Sequence, residues 1–327
     1  MSGPPLREIA VVEMLGGFGD LLLVLPAIHA LARAHPTAAI RVVTLAPGDA
    51  LLAADPAVAS VTVGSADDAA GAVAAHLDQH PAELAVSTTM HSGIAELLGT
   101  RVPRAVTNLW RSPPADELVE RRFLRLLAAD GVIHSDDQAL PLQVILTADE
   151  RAAARQVLGA LDARPVLLLP GAGMPVKRWP HERWQRLAET LHEAGRPSLT
   201  VADGPPLPHA RVLPALSLRE LAAVAAELAD AGGVAAGGDT GPVRLATAAG
   251  LPAVGLYGAT LGARYGLSHP AAKNLQGLPG CHVRRPTAIT EQECWWSARC
   301  PLSDDGAPAC MADLDVAPVV EAILATG

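Results

Sequence analysis

The sequence predicts an α/β protein made of two halves, each built on a parallel sheet, and three observations carry that reading. Its 327 residues are roughly twice a typical domain of ~150. Apolar runs alternate with helical patterns along most of the chain, and glycine-rich turns follow predicted strands at three places. Half of the residues are apolar, 18% are charged and 3% are aromatic, which excludes intrinsic disorder and leaves the cores to Ala, Leu and Val.

Ile9 to Leu15 reads as a buried strand, Gly16-Gly17-Phe18-Gly19 as a tight turn, Asp20 to His35 as a helix stopped near Pro36, and Ile40 to Leu45 as a second strand. This is one βαβ unit. Further on, the pattern predicts a helix at Ala69 to Gln79, a short strand at Glu83 to Ser87 and a helix at Asp116 to Ala129. A new series starts with a helix at Ala148 to Leu161, followed by the strand Leu167-Leu168-Leu169 and the turn Pro170-Gly171-Ala172-Gly173. His181 to Ala194 has Trp184, Leu187, Ala188 and Leu191 at helical spacing, with Gly195 as its stop and a strand at Ser198 to Ala202 beyond it. Ser217 with Glu220 makes a capping box for a helix running to Ala231. A strand at Gly233 to Ala236 enters Gly237-Gly238-Asp239-Thr240-Gly241, Pro242 opens a helix to about Gly250, and Pro252 to Gly258 is the last strand. The expected domains are residues 1–150 and 151–327, with strand C-termini and helix N-termini facing a cleft from both sides.

Residues 1–150 hold nine Arg, no Lys and 18 acidic residues, whereas residues 151–327 hold 16 basic and 16 acidic, so the net charge of −9 falls in the first half. For this acidic half neither nucleic acid nor an anionic membrane is expected as a partner, because both need Lys and Arg against phosphate. The most apolar run, Leu21 to Leu31, is interrupted by Pro26 and His29, far short of the ~18 consecutive apolar residues of a membrane span. Met1 to Arg7 has no signal-peptide pattern, so a soluble, cytoplasmic protein is expected.

Gly17-Phe18-Gly19 is not a dinucleotide fingerprint: the third glycine would fall at Leu22, and Asp20 would meet a pyrophosphate with like charge. Asp20 is either a helix cap or a general base held beside a turn that lets substrate approach the backbone. Lys177, one of two lysines against 23 arginines, follows the second glycine-rich turn and suits a phosphate or departing diphosphate; the plain alternative is a solvated lysine beside Trp179. Thr240 and Gly241 offer backbone N–H groups at a helix start, with Asp239 able to accept from sugar hydroxyls, although Asp is also common in such turns. The four cysteines, Cys281, Cys294, Cys300 and Cys310, are separated by 13, 6 and 10 positions. Their clustering suggests a structural Zn or Fe site, or independent thiols, and Trp295-Trp296 is expected to pack this segment onto its domain.

In this order, the motifs resemble those of glycosyltransferase family 9, the ADP-heptose:lipopolysaccharide heptosyltransferases. They are Gly17-Phe18-Gly19-Asp20-Leu21-Leu22 with Leu25-Pro26-Ala27, then Lys177-x-Trp179-Pro180, then Asp239-Thr240-Gly241 with Leu245-Ala246. The resemblance runs from Ile9 through Leu324. It implies a GT-B fold of two Rossmann-like domains, the first binding the acceptor and the second the nucleotide-sugar donor, and an inverting transfer that requires no metal or other cofactor. Asp20 matches the base and Lys177 the lysine on the donor phosphates. The implied donor set is Gly17, Gly19, Gly171, Ala172, Gly173, Lys177, Leu216, Asp239, Thr240, Gly241 and Arg244. Three departures stand out: Arg244 where the family usually has His, Glu13 where it has Arg or Lys, and Asp203-Gly204-Pro205-Pro206 without the Glu often found there.

Glu13 is taken as an acceptor-side residue, and the acidic first half favours a neutral or cationic small acceptor, such as a secondary metabolite or an aminoglycoside-like sugar. The alternatives are a lipopolysaccharide core heptosyltransferase, a nucleotide-sugar epimerase on the same plan, and a catalytically silent sugar-nucleotide-binding relative.

Overall fold

The β-branched run of Glu8–Glu13 forms strand β1, buried from Ile9 onward, and Gly16 then turns the chain at φ +148°, a conformation that L side chains rarely adopt. Helix α1 (Phe18–Ala34) follows with Gly17 as its N-cap, two residues earlier than the apolar spacing predicts. Pro26 lies inside α1 without ending it, while every residue from Leu21 through Ile28 is buried. Then come β2 (Ala39–Leu45), β3 (Ser60–Gly64), α2 (Ala69–Gln79), β4 (Leu84–Ser87), α3 (Ile94–Arg101), β5 (Arg104–Val106) and α4 (Val119–Ala129). The five strands pair in parallel in the order β3-β2-β1-β4-β5.

A second series runs α5 (Ala148–Leu158), β6 (Val166–Leu169), α6 (His181–Glu193), β7 (Ser198–Thr200), β8 (Arg211–Val212), α7 (Leu218–Asp230), β9 (Val234–Gly238), α8 (Gly241–Ala248), β10 (Ala253–Tyr257), α9 (Gly262–Tyr265) and β11 (Lys273–Gln276). It ends in α10 (Glu293–Ser297), α11 (Ala309–Ala312) and α12 (Val316–Thr326). Its sheet is also parallel, in the order β11-β10-β9-β6-β7-β8. Trp179, Trp184, Leu187 and Leu191 pack there with Val319 and Ile323 of α12, so the final helix closes the core of the second unit.

This computed structural model describes residues 5–161, 164–202, 204–303 and 307–326; Met1 and Asp203 lie outside them. The chain forms two units, one made of residues up to Pro113 and Val119–Ile145, the other of Pro114–Leu118 and everything from Leu146 on. The link Pro114–Leu118 joins the second unit, where Arg264 Nη1 donates to the Pro114 carbonyl at 3.0 Å. This division redistributes the charge. Asp116, Glu117, Asp149 and Glu150 belong to the second unit, so the first carries nine basic and 14 acidic residues, net −5, and the second 16 and 20, net −4. The expectation that the acidity lies wholly in the first half is thereby corrected.

Each strand order reverses direction once, between β1 and β4 in the first unit and between β6 and β9 in the second. Loops leaving the C-terminal ends of two strands that flank such a point diverge, and the gap between them is where open α/β sheets receive ligands. The turn with Asp20 leaves β1, the Gly171–Lys177 segment leaves β6 and Asp239-Thr240-Gly241 leaves β9. No helix among the described residues is long and apolar enough to cross a membrane.

Candidate active site

In the first unit, Asp20 is the third residue of α1. Its Oδ2 accepts from Gly17 N–H at 3.3 Å while its own N–H donates to the Gly17 carbonyl at 2.9 Å. Asp20 therefore does cap its helix, and its partly exposed carboxylate also stands at the sheet's C-terminal edge. Gly17 supplies that cap from the backbone, and Gly19 lies in the first turn of the helix.

Glu13, the last residue of β1, is only 2% exposed. Its Oε1 accepts from Leu15 N–H at 2.9 Å, and the Thr44 hydroxyl of β2 bonds it as well. Burial, joined by the nearby charge of Asp20, pushes the Glu13 carboxyl up to about 8 against the two hydrogen bonds. It is thus uncharged at neutral pH and lies beneath the turn. Across the switch point, Met14 N–H donates to Thr89 Oγ1 at 2.8 Å and Trp110 Nε1 to the Thr88 carbonyl at 2.8 Å, which ties the loop after β4 to the end of β1.

In the second unit, the Pro170–Gly173 turn leads into one 3-10 turn, Pro175–Lys177, whose exit is fixed by Trp179. That indole is buried, donates to the Leu314 carbonyl at 2.9 Å and meets Trp184 edge-on at 4.9 Å. Ala172 contributes its carbonyl to Arg178 Nε at 3.1 Å, while Gly171 is partly exposed and Gly173 has open space where a side chain would be. Leu216 lies one residue before the Ser217 cap of α7.

Gly237 and Gly238 belong to β9 rather than to the expected turn, pairing with Gly255 and Leu256 of β10. Their lack of side chains is needed for close approach. A Cβ on Gly238 would come within 3.2 Å of the Lys177 carbonyl, and one on Gly237 within 3.0 Å of Val243 Cβ. The strand thereby brings Lys177 and Asp239 together, with Lys177 Nζ 2.8 Å from Asp239 Oδ2. Arg244 Nη2, on α8, is 3.4 Å from Asp239 Oδ1 and also donates to the Tyr265 carbonyl at 2.6 Å. Burial alone would raise the Asp239 carboxyl, but the charges of Lys177 and Arg244, with hydrogen bonds from Lys177 and Thr260, hold it below the usual carboxylate range. Two cations against one carboxylate leave the cluster with a net positive charge.

Thr240 is the N-cap of α8, and Pro242 lies within the first turn, where its missing N–H is no loss. Thr240 Oγ1 is buried without a hydrogen-bond partner, and the first N–H groups of a helix, including that of Gly241, have no intrahelical acceptor. Donors of this kind beside the Lys177 ammonium have the chemistry to receive an anion.

Sequence reasoning did not single out Thr260 or the role of Trp295, whose ring centroid lies 5.2 Å from Lys177 Nζ and flanks the ammonium with an aromatic face. Nothing in the spacing of Thr260 and Trp295 ties them to Lys177 or Asp239. Trp295 packs with Val176, Ala259 and Cys294 as the sequence suggests, whereas Trp296 is 74% exposed.

The metal expectation at the cysteines is not supported. Among the described residues, no group of three or more His, Cys, Asp or Glu is arranged to hold a metal ion. All four cysteines are free; Cys294 and Cys310 are buried, and burial pushes the Cys310 thiol up to about 12 and that of Cys294 up as well. A thiol held protonated by burial packs as a small apolar group.

Residues 106–286 match the family described as glycosyltransferase family 9 (heptosyltransferase). A family 9 glycosyltransferase from Veillonella parvula superposes with a TM-score of 0.75 at 16% identity, over 97% of this chain and 96% of that one. ADP-heptose lipopolysaccharide heptosyltransferase II of E. coli gives 0.70 at 17% identity over 98% of both chains. The E. coli heptosyltransferase WaaC, solved with ADP, gives 0.63 at 16% identity over 98% of this chain and all of that one. No curated protein matches the sequence. These likenesses fit the two parallel sheets to the GT-B fold, and with more than half of its length matched by the family, the chain belongs to glycosyltransferase family 9, the heptosyltransferases.

Proposed function

We propose that the protein transfers a heptose from an ADP-heptose donor to a hydroxyl of a neutral or amine-bearing small acceptor, with inversion at the anomeric carbon. Asp20 takes the proton of the acceptor hydroxyl as its oxygen bonds to the anomeric carbon. The bond from that carbon to the diphosphate oxygen breaks in the same displacement. Lys177 and the N–H groups at the start of α8 receive the charge on the departing diphosphate, and Asp239 orients Lys177 and meets sugar hydroxyls.

The observation that carries this reading is the Lys177–Asp239–Arg244 cluster, buried at Asp239 and Arg244 and partly exposed at Lys177, which lies beside the N-terminus of α8 at a sheet switch point and carries a net positive charge. That WaaC was solved with ADP supports the choice of base. Arg244 spends its guanidinium on Asp239 and the Tyr265 carbonyl, so its part is to hold Asp239 rather than to touch phosphate.

The acceptor reading rests on the edge of the first sheet. Asp20 and Asp49 stand beyond β1 and β2, and Arg111, beyond β5, is already engaged with Asp130 at 2.6 Å. Such an edge repels a phosphorylated acceptor.

Isothermal titration with ADP, GDP, UDP and NAD, in parallel on Lys177→Ala and Asp20→Ala, tests the donor half. ADP should bind preferentially, lose about tenfold or more in affinity with Lys177→Ala, and be little affected by Asp20→Ala. Asp20→Ala should instead lower transfer by about 10²-fold or more. Near-normal turnover in Asp20→Ala would remove Asp20 as the base, and absence of any diphosphate binding would favour a silent relative.

A further inference from the structure

Two carboxyl groups bracket the four-residue turn between β1 and α1, Met14 to Gly17. Glu13 Oε1 takes the Leu15 N–H from the strand side, and Asp20 Oδ2 takes the Gly17 N–H from the helix side. Gly16 between them holds its positive φ. At 2% exposure Glu13 reaches no ligand.

We propose that Glu13 is a positioning residue for Asp20: from beneath the glycine turn it anchors the Leu15 peptide and sets the electrostatic environment in which Asp20 works. Uncharged at neutral pH, the Glu13 carboxyl anchors the Leu15 peptide without placing a second negative charge beside Asp20.

The groups that face Glu13 are few. On α1 there is Asp20, on β2 the Thr44 hydroxyl and, within the turn, the Leu15 N–H. Further titratable groups at this sheet edge include Asp49, in the turn beyond β2, His91, in the loop beyond β4, and Arg111, beyond β5 and paired with Asp130; of the charged groups, it is Asp20 that acts on Glu13. Glu13 ionises near pH 8, so a second buried negative charge arises beneath Asp20 at that point.

The inference rests on the reading of Asp20 as the base, and two arms keep the two apart. Carboxyl ¹³C resonances are followed against pH in the parent protein, Glu13→Gln and Glu13→Leu. The expected result is a Glu13 resonance titrating near 8, a second inflection of the Asp20 resonance at the same pH, and loss of that inflection in Glu13→Gln. An ordinary Glu13 titration near 4.5, or an Asp20 resonance that ignores it, overturns the proposal.

In transfer assays with ADP-heptose and an aminoglycoside-like acceptor, Glu13→Leu should lower kcat by about tenfold with the donor KM within about twofold, and Glu13→Gln should restore most of it. Equal kcat in the parent and Glu13→Leu also overturns the proposal. Failure of the base assignment would appear separately, as full transfer by Asp20→Asn while the resonance coupling persists.

Discussion

At the scale of the residue, Glu13 shows what a buried acid does to folding. Its carboxyl ionises near 4.5 in the unfolded chain and near 8 when folded, so between those values the folded state keeps a proton that the unfolded state has released. Stability therefore falls as pH rises from about 4.5 to about 8 and levels off above the folded value. Glu13→Gln removes this slope because its amide oxygen still accepts from Leu15 N–H and it cannot ionise. The variant should melt above the parent at pH 8 by an amount worth about 2–5 kcal/mol, with a much smaller gap at pH 5. A gap of the same size at both pH values would mean that Glu13 is already charged in the folded protein. Asp239 behaves in the opposite sense: its carboxyl lies below the ordinary range, so its contribution is complete above the unfolded value and is lost only as pH falls through the folded one.

At the scale of the element, the end of β9 does the work of assembling the donor site. Gly238 leaves the Lys177 carbonyl room to lie against the strand; an added Cβ at 3.2 Å requires the Lys177 segment to move by a few tenths of an ångström. Gly238→Ala should therefore weaken ADP binding by roughly threefold to tenfold, about 1 kcal/mol, while the melting temperature changes little, because the short 3-10 turn and not the sheet gives way. Unchanged ADP affinity would show that Lys177 is not positioned by this contact. This is also where the sequence was less legible. Gly237-Gly238 reads as a turn because glycines usually break strands, yet here tertiary crowding by Val243, Leu169 and the Lys177 carbonyl requires them within one. The strands that were read, in β1, β2, β4, β6, β7, β9 and β10, have apolar runs that local pattern exposes. By contrast, β3 (Ser60–Gly64) and β11 (Lys273–Gln276) contain no fully buried stretch, and β8 has two exposed residues, so their identity comes from pairing partners far along the chain. As candidates, Asp20 and Lys177 stood out because each follows a strand through a glycine-rich turn, and Asp239 because it lies between the end of a strand and the start of a helix. Thr260 and Trp295 were not, since only folding brings them to Asp239 and Lys177.

At the scale of the whole molecule, the charge argument changes its footing. A cut at residue 150 assigns four carboxylates to the wrong unit; Glu150, for example, caps α5 and pairs with Arg219 of α7, both in the second unit. Both units are acidic, at −5 and −4, so the acceptor preference follows from where carboxylates lie at the first sheet's edge and not from a contrast between halves. On the proposed reading, an amine-bearing acceptor is drawn by Asp20, Asp49 and the unit's net charge, whereas a phosphorylated core oligosaccharide is opposed by all three. Screening separates the cases, because raising salt from ~0.01 to ~0.15 M shortens the Debye length from about 30 to about 8 Å. The KM of an aminoglycoside-like acceptor should rise several-fold over that range at constant kcat, and phosphorylated core should be turned over poorly at low salt and somewhat better at high salt. Equal kcat/KM for phosphorylated core and for the same oligosaccharide after dephosphorylation would reject this selectivity. It would also move the protein toward lipopolysaccharide core assembly, with Glu13 then serving the turn alone.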